Sequence, residues 1–166
     1  MDLFEAIKNR RSIRDYSDRP IPKDVLEKIT DAARFAPTAR GVEPWHYVVI
    51  TKSDMLKTVA DATDHGKFIG KATACVAVFC EDTKYYLEDG CAAIQNILLS
   101  STALGIASCW VAGDKKPYCD KIKEILGVPA SHKLIGLVSL GYPGASGAFF
   151  AGKRKELKDL LHWQKY

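Results

Sequence analysis

Tyr86-Leu87-Glu88-Asp89-Gly90-Cys91-Ala92-Ala93-Ile94-Gln95-Asn96-Ile97-Leu98-Leu99-Ser100-Ser101-Thr102-Ala103-Leu104, then Gly105, then Ile106-Ala107-Ser108-Cys109-Trp110-Val111-Ala112: this stretch decides the architecture. Residues 86–104 read as the longest helix of the chain, closed by Gly105 at the position where a left-handed residue ends helices. A minimal turn then delivers a strand over 106–112. The helix places Leu87, Cys91, Ile94, Ile97, Leu98, Leu99 and Ala103 around more than one face. A helix apolar on several sides has to be covered on several sides. Two arrangements meet that need: a second subunit packed on it, or a central position inside one subunit.

Outward from this unit, helices and strands alternate irregularly. Leu3, Phe4 and Ile7 form a short amphipathic face behind Asp2, a capping residue. Pro20-Ile21-Pro22 leads into a helix that runs to about Ala36, with Val25, Leu26, Ile29 and Ala33 on one side and Pro37 as the stop. Residues 45–51 and 73–80 read as strands, the second more buried, and Ser53 is placed to cap a helix bearing Leu56 and Val59 between them. Tyr118, Ile122, Ile125 and Leu126 mark a further helix, residues 133–140 a last buried strand, and residues 156–162 a last helix. Four strands and about six helices on one sheet predict an α+β fold, an α/β sandwich, in a single domain over residues 1–166. No Gly-x-Gly-x-x-Gly follows a strand and no Walker-type loop occurs, which argues against a nicotinamide-binding fold and a P-loop.

Composition narrows the class. Apolar residues make up 47% of the chain, as in ordinary globular proteins, and no run approaches bilayer-spanning length. With early acids (Asp2, Glu5) and no signal-type apolar run at the start, a cytoplasmic protein without membrane attachment is expected. The formal charge of +4 comes partly from two groups: Lys8, Arg10, Arg11, Arg14 and Arg19 early, and Lys153, Arg154, Lys155 and Lys158 late. Acids interrupt both (Asp15, Asp18, Glu156, Asp159), which speaks against a nucleic-acid partner. Taken alone, either group reads equally well as a solvated charged face. Five cysteines without a Cys-x-x-Cys pair, several among apolar neighbours, suit reduced thiols in a reducing compartment. Four histidines show no ligand spacing along the chain, so no metal is expected.

Chemistry concentrates in Asn9-Arg10-Arg11-Ser12-Ile13-Arg14-Asp15-Tyr16, at the end of a short helix. Arginine presents a rigid fork of donors that fits phosphate oxygens and planar carbonyl or imide edges. Three arginines on one turn can grip a phosphorylated heterocycle at two points. Favourable placement of cations at a helix C-terminus needs only one or two of them.

These residues also carry a resemblance. Arg10-Arg11-Ser12-Ile13-Arg14 resembles the Arg-x-Ser-x-Arg/Lys signature that opens proteins of the nitroreductase-like family of FMN-dependent oxidoreductases. Ala36-Pro37-Thr38-Ala39-Arg40-Gly41-Val42-Glu43-Pro44-Trp45 is similar to that family's Ala-Pro-Ser/Thr segment with Gln-Pro-Trp a few residues on. Residues 104–113, Leu140-Gly141-Tyr142-Pro143, and Lys153-Arg154-Lys155 with Leu160-Leu161-His162-Trp163 continue the match in the family's order. Each motif alone is weak; in sequence, from Arg10 to Trp163, they are specific.

The resemblance implies a nitroreductase-like fold, a central mostly antiparallel sheet flanked by helices, in a homodimer with FMN at the interface. By position, Arg10, Arg11 and Ser12 would hold the phosphate end and Arg14 the pyrimidine edge of the flavin. Arg154, with Lys153 or Lys155, would complete the phosphate site, so that the two basic groups converge. Pro37, Thr38 and Ala39 would approach from the partner subunit, and Val111, Ala112 and Gly113 would offer backbone N–H groups and a close surface near the reactive ring. No dedicated catalytic side chain is implied, because the flavin carries the chemistry. The implied activity is ping-pong transfer from NAD(P)H to a planar acceptor such as a nitroaromatic, quinone or free flavin. Brief segments at 64–71 and 81–88 leave little chain for a lid. A specialised flavin enzyme acting in reductive dehalogenation or ene reduction, or a non-catalytic flavin-binding protein, remain as alternatives. The chain departs from the pattern where Gly41 and Glu43 stand in place of the usual Asn and Gln; Glu43 is then free to pair with Arg40. Trp45 and Trp110 read as packing residues, and Gln95 and Asn96 as either interface or locally satisfied polar groups.

Overall fold

The computed structural model describes residues 1–145 and 153–166. Five α-helices, α1 (Leu3–Asn9), α2 (Lys23–Ala33), α3 (Ser53–Ala62), α4 (Tyr86–Ala103) and α5 (Cys119–Leu126), surround four strands, β1 (Trp45–Ile50), β2 (Ala74–Glu81), β3 (Ala107–Ala112) and β4 (His132–Gly141). The sheet order is β1-β2-β4-β3 and every neighbouring pair is antiparallel. Hence β2 and β4, the two near-continuous apolar runs, are central, and β1 and β3 form the edges. Among the described residues no helix is long and apolar enough to cross a membrane.

Alternation along the strands builds two cores, one on each face. On one, Leu26, Ile29 and Ala33 of α2 and Ile94 and Ile97 of α4 pack on Val76, Val78, Val138 and Leu140. On the other, Leu56 and Val59 of α3 and Ile122 of α5 pack on Ala77, Phe79, Leu134 and Leu137. This is the expected sandwich. The apolar surface of α4 is met largely within the chain itself, with the sheet, α2 and α1 as neighbours. Asn96 donates to Ala32 O at 3.0 Å, the local one of the two alternatives open for it, while Gln95 stays exposed.

The helix ends show which local signals operate. Asp2 and Glu5 form a reciprocal capping box, with Glu5 N to Asp2 Oδ1 at 2.9 Å and Asp2 N to Glu5 Oε2 at 3.1 Å. Gly105 adopts φ +72, and the paired bonds Gly105 N to Thr102 O (3.1 Å) and Ile106 N to Ser101 O (2.9 Å) close α4 in a Schellman turn. Three expectations need correction. Ser53 does not cap α3; Lys52 precedes the first turn and already accepts from Leu56 N, so Ser53 lies inside the helix. α2 ends at Ala33 instead of about Ala36, because residues 34–36 tighten into i to i−3 bonds ahead of Pro37. The last helix is only a 3-10 turn at Leu157–Asp159, where Leu157, Leu160 and Leu161 are exposed and gain no packing to hold a helix.

Candidate functional site

After α1 the chain runs beside edge strand β3. Ser12 bridges Ser108 in parallel fashion, and Ile13 N donates to Ser108 O at 3.0 Å. Tyr16 then fastens the segment: its buried hydroxyl lies 2.7 Å from Ile13 O and 2.6 Å from Ser139 Oγ, which itself reaches Cys109 O at 3.2 Å. Burial pushes the Tyr16 phenol far above its ordinary range, so the group stays a neutral hydrogen-bonding anchor. Ser17 N to Tyr142 O and Gly144 N to Asp15 O complete the lacing. The arginines are thus displayed on backbone held at both ends.

Their side chains are not equivalent. Arg11 Nη1 donates to Lys8 O (2.5 Å) and Arg10 O (2.9 Å), closing the end of α1. Arg14 is exposed; it makes one long contact to Ser12 O at 3.5 Å and sits 5.5 Å from the centre of the Phe68 ring. Arg14, Val111 and Ala112 line one recess of about 150 Å³ together with His65, Phe68, Cys109, Trp110, Lys116 and Tyr118. His65 and Phe68 come from the brief 64–71 segment, which folds into a 3-10 turn at Lys67–Lys71 and forms a wall there.

Strand geometry sorts the three β3 residues. Gly113 N donates to Ile135 O at 3.1 Å. By alternation Val111 also faces β4, which leaves Ala112 and Trp110 with N–H groups pointing out from the edge. Of the amides expected to be offered, those of Val111 and Gly113 are taken up by the sheet. The Ala112 carbonyl is bound by the Tyr118 hydroxyl. Gly113 serves close packing, since a Cβ there would stand 2.7 Å from Leu134 Cγ and 2.8 Å from Gly136 N. Trp110 is not fully buried: it is 37% exposed and its indole lies over Gly136 at the recess. Cys109, beside it, is held as a thiol: burial pushes its pKa up against the pull of Arg14, Ser12 and Arg10.

Pro37, Thr38 and Ala39 lie elsewhere, by the first turn of α4. The buried carboxylate of Asp89 accepts from Thr38 Oγ1 (2.8 Å) and Ala39 N (3.1 Å), and Thr38 Oγ1 accepts from Glu43 N (3.0 Å). These bonds hold a loop in which Arg40, Gly41 and Glu43 all adopt positive φ (58, 66 and 52). Arg40 and Glu43 form no ion pair with each other among the described residues. A second recess of about 160 Å³ joins Ala39, Arg40 and Val42 to Thr83, Lys84, Tyr85 and Asp89. Arg154 and Lys155 are exposed and line neither recess. Asp89, Phe68, His65 and Tyr118 carry no motif; Asp89 alone had a hint, as an acid among the apolar residues of α4.

A sequence model described as the nitroreductase family matches residues 7–142. The chain belongs to the nitroreductase family. An inferred NADH dehydrogenase/NAD(P)H nitroreductase of Archaeoglobus fulgidus is 35% identical over 173 residues, covering 99% of each chain. Among solved structures, an FMN-dependent nitroreductase of Clostridium difficile superimposes with a TM-score of 0.87 at 27% identity, over 99% of this chain and 100% of that one. A nitroreductase with bound FMN from Bacteroides fragilis gives 0.76 at 31% identity, over 94% and 95%. As a nitroreductase-family member the chain is an oxidoreductase, and the antiparallel sheet flanked by helices is the nitroreductase fold.

Proposed function

We propose that this chain, as a single domain over residues 1–166, binds FMN and transfers electrons from NAD(P)H to small planar acceptors in a ping-pong cycle, as a homodimer with the flavin at the subunit interface. The observation that carries the reading is the recess on the β3 edge, where the sparsely bonded Arg14 guanidinium meets the outward amide of Ala112 and an apolar wall of Phe68, Trp110 and Val111. This donor set suits a planar imide edge lying on an apolar face. The buried Ser108 Oγ, which has no partner among the described residues, lies beside the same turn and adds a polar atom suited to it.

Bound FMN would supply the two-electron chemistry. Arg14 supplies a fixed cation at the pyrimidine edge, favouring the negative charge that reduction leaves there. Arg10, Arg11 and Ser12 bind the phosphate end, with Arg11 contributing the donors not spent on α1. Arg154 and Lys155, with Lys153, complete the phosphate site. Pro37, Thr38 and Ala39 close on the flavin from the partner subunit. Ala112 donates its N–H near the reactive ring, while Val111 and Gly113 shape the surface.

A second copy is supported by what one subunit leaves uncovered. The recess of about 150 Å³ falls short of the roughly 300 Å³ at which small-molecule sites begin. Leu3, Phe4, Phe35, Leu157, Leu160 and Trp163 are all more than half exposed. Between α2 and edge strand β1 runs an apolar groove of about 950 Å³, lined in part by Tyr47, whose buried hydroxyl has no partner among the described residues. Five free thiols suit the reducing cytoplasm.

The purified protein is expected to be yellow, with one FMN per subunit, to bleach on addition of NADH or NADPH, and to recover when an acceptor is added. A colourless protein that remains monomeric in the presence of FMN would overturn the proposal. Bound flavin that no nicotinamide reduces would favour a carrier, and strong preference for one halogenated or enone compound a specialised enzyme.

A further inference from the structure

At one corner of the sheet, three metal-binding side chains from three neighbouring strands meet: His46 near the start of β1, Glu81 at the end of β2 and His132 at the start of β4. The strand register accounts for the meeting. Glu81 stands directly opposite His132, and His46 stands opposite Phe79, which makes Glu81 its diagonal neighbour on the same face. One ligand atom from each residue lies within 4.8 Å of the other two. His46 Nε2 and Glu81 Oε1 are 3.4 Å apart, and the two imidazoles meet edge to face with centroids at 4.8 Å.

A tetrahedral ion with bonds of about 2.0–2.2 Å keeps its ligand atoms roughly 3.4 Å apart. The His46–Glu81 separation already has this value. Closing the third ligand needs at most about 1.5 Å of side-chain movement on the same geometry, and His46 and Glu81 are exposed enough to move. Ser131 Oγ stands 3.3 Å from His132 Nδ1, an outer partner of the kind that fixes a ligating ring. The nearest cation on β4, Lys133, is paired with Asp82 at 3.1 Å. A cross-strand His–Glu contact accounts for two of the three groups; the second imidazole turns the pair into a chelate.

We propose that His46, Glu81 and His132 form a surface site for a divalent transition-metal ion of the zinc class, with a remaining position open to water. The set is two imidazoles and one carboxylate, which suits zinc better than magnesium or calcium. Bound there, the ion clamps the ends of β1, β2 and β4. Linear spacing hides the site, since 35 residues separate His46 from Glu81. It stands independently of the flavin reading.

The test uses the purified full chain without a histidine tag, stripped of metal by chelator and titrated at pH 7.5 with Co²⁺ and then Zn²⁺. One ion per subunit is expected, with cobalt bands in the visible and no thiolate charge-transfer band despite the five free cysteines. At a hundredfold excess of Zn²⁺ over its Kd, the melting temperature should rise by roughly 5–10 °C. His46→Ala and His132→Ala should each weaken binding by more than the about 10- to 100-fold typical of losing an outer partner. His162→Ala, in the exposed tail, should change nothing. Metal-free His46→Ala should melt with the parent, separating loss of a ligand from loss of fold. Absence of binding below millimolar Zn²⁺, a thiolate band, or equal losses for His162→Ala and His46→Ala would overturn the site.

Discussion

Asp89 shows how much one carboxylate can organise. It holds Thr38 and Ala39 against α4 and thereby fixes a loop with three residues in left-handed backbone. Asp89→Ala leaves those donors unpaired and should cost about 2–4 kcal/mol of stability; Asp89→Asn, which keeps the shape, should cost less. Thermal melts beside flavin titrations would check both, and flavin affinity should fall in the same order. A division of labour among the cations is testable too. Arg14→Ala should slow flavin reduction about 100-fold, the scale of losing one preorganised donor, and leave FMN affinity less changed. Arg154→Ala should chiefly raise the FMN Kd. Stopped-flow reduction with equilibrium binding would separate the two, and equal effects in both variants would sink the assignment. What the sequence could propose are residues of a local motif: Arg10, Arg11, Ser12 and Arg14 fall within five residues, and of these Arg14 lines the recess. Phe68 and Tyr118 reach the recess from distant elements, so nothing local announces them. The sheet's claim on the Gly113 amide depends on register, which only the folded chain reveals.

At the scale of elements, patterning was informative where burial is two-sided or alternating. All four strands lie within a residue or two of their expected bounds, because β-branched and apolar runs bounded by turn residues have few other uses. Gly105 announced the end of α4 because a positive φ in a turn favours glycine. What failed was the last helix, whose apolar spacing is real but whose apolar side chains are exposed among the described residues. Gly136 belongs to this scale, since it lets β4 pass under β3's Trp110. A Cβ there would stand 2.3 Å from Trp110 Nε1 and 3.0 Å from Ile94 Cδ1. Gly136→Ala should therefore cost about 1–3 kcal/mol and displace the indole, seen as a shift in Trp110 emission in a protein lacking the other tryptophans.

For the molecule as a whole, the buried thiols set an alkaline limit. Burial raises Cys75 and Cys80 from an ordinary value of 9.0 to about 12. Above pH 9 the unfolded chain releases these protons while the folded one keeps them, so unfolding is favoured increasingly from about pH 9 to pH 12. Between pH 6 and 8 these groups should contribute no slope. Urea titrations across pH 7–11 would show a midpoint that is flat at first and then falls. Cys75 and Cys80 should also resist alkylation in the native state near neutrality. Molecule-wide, too, is the fastening of the arginine turn to β4 and the turn after it: Tyr16 reaches Ser139 across 123 residues, and Asp15 and Ser17 reach Gly144 and Tyr142. The cationic turn can therefore be fastened only once β4 and the turn after it are present. A polypeptide lacking β4 would carry the same positive charge without the mould that aims it.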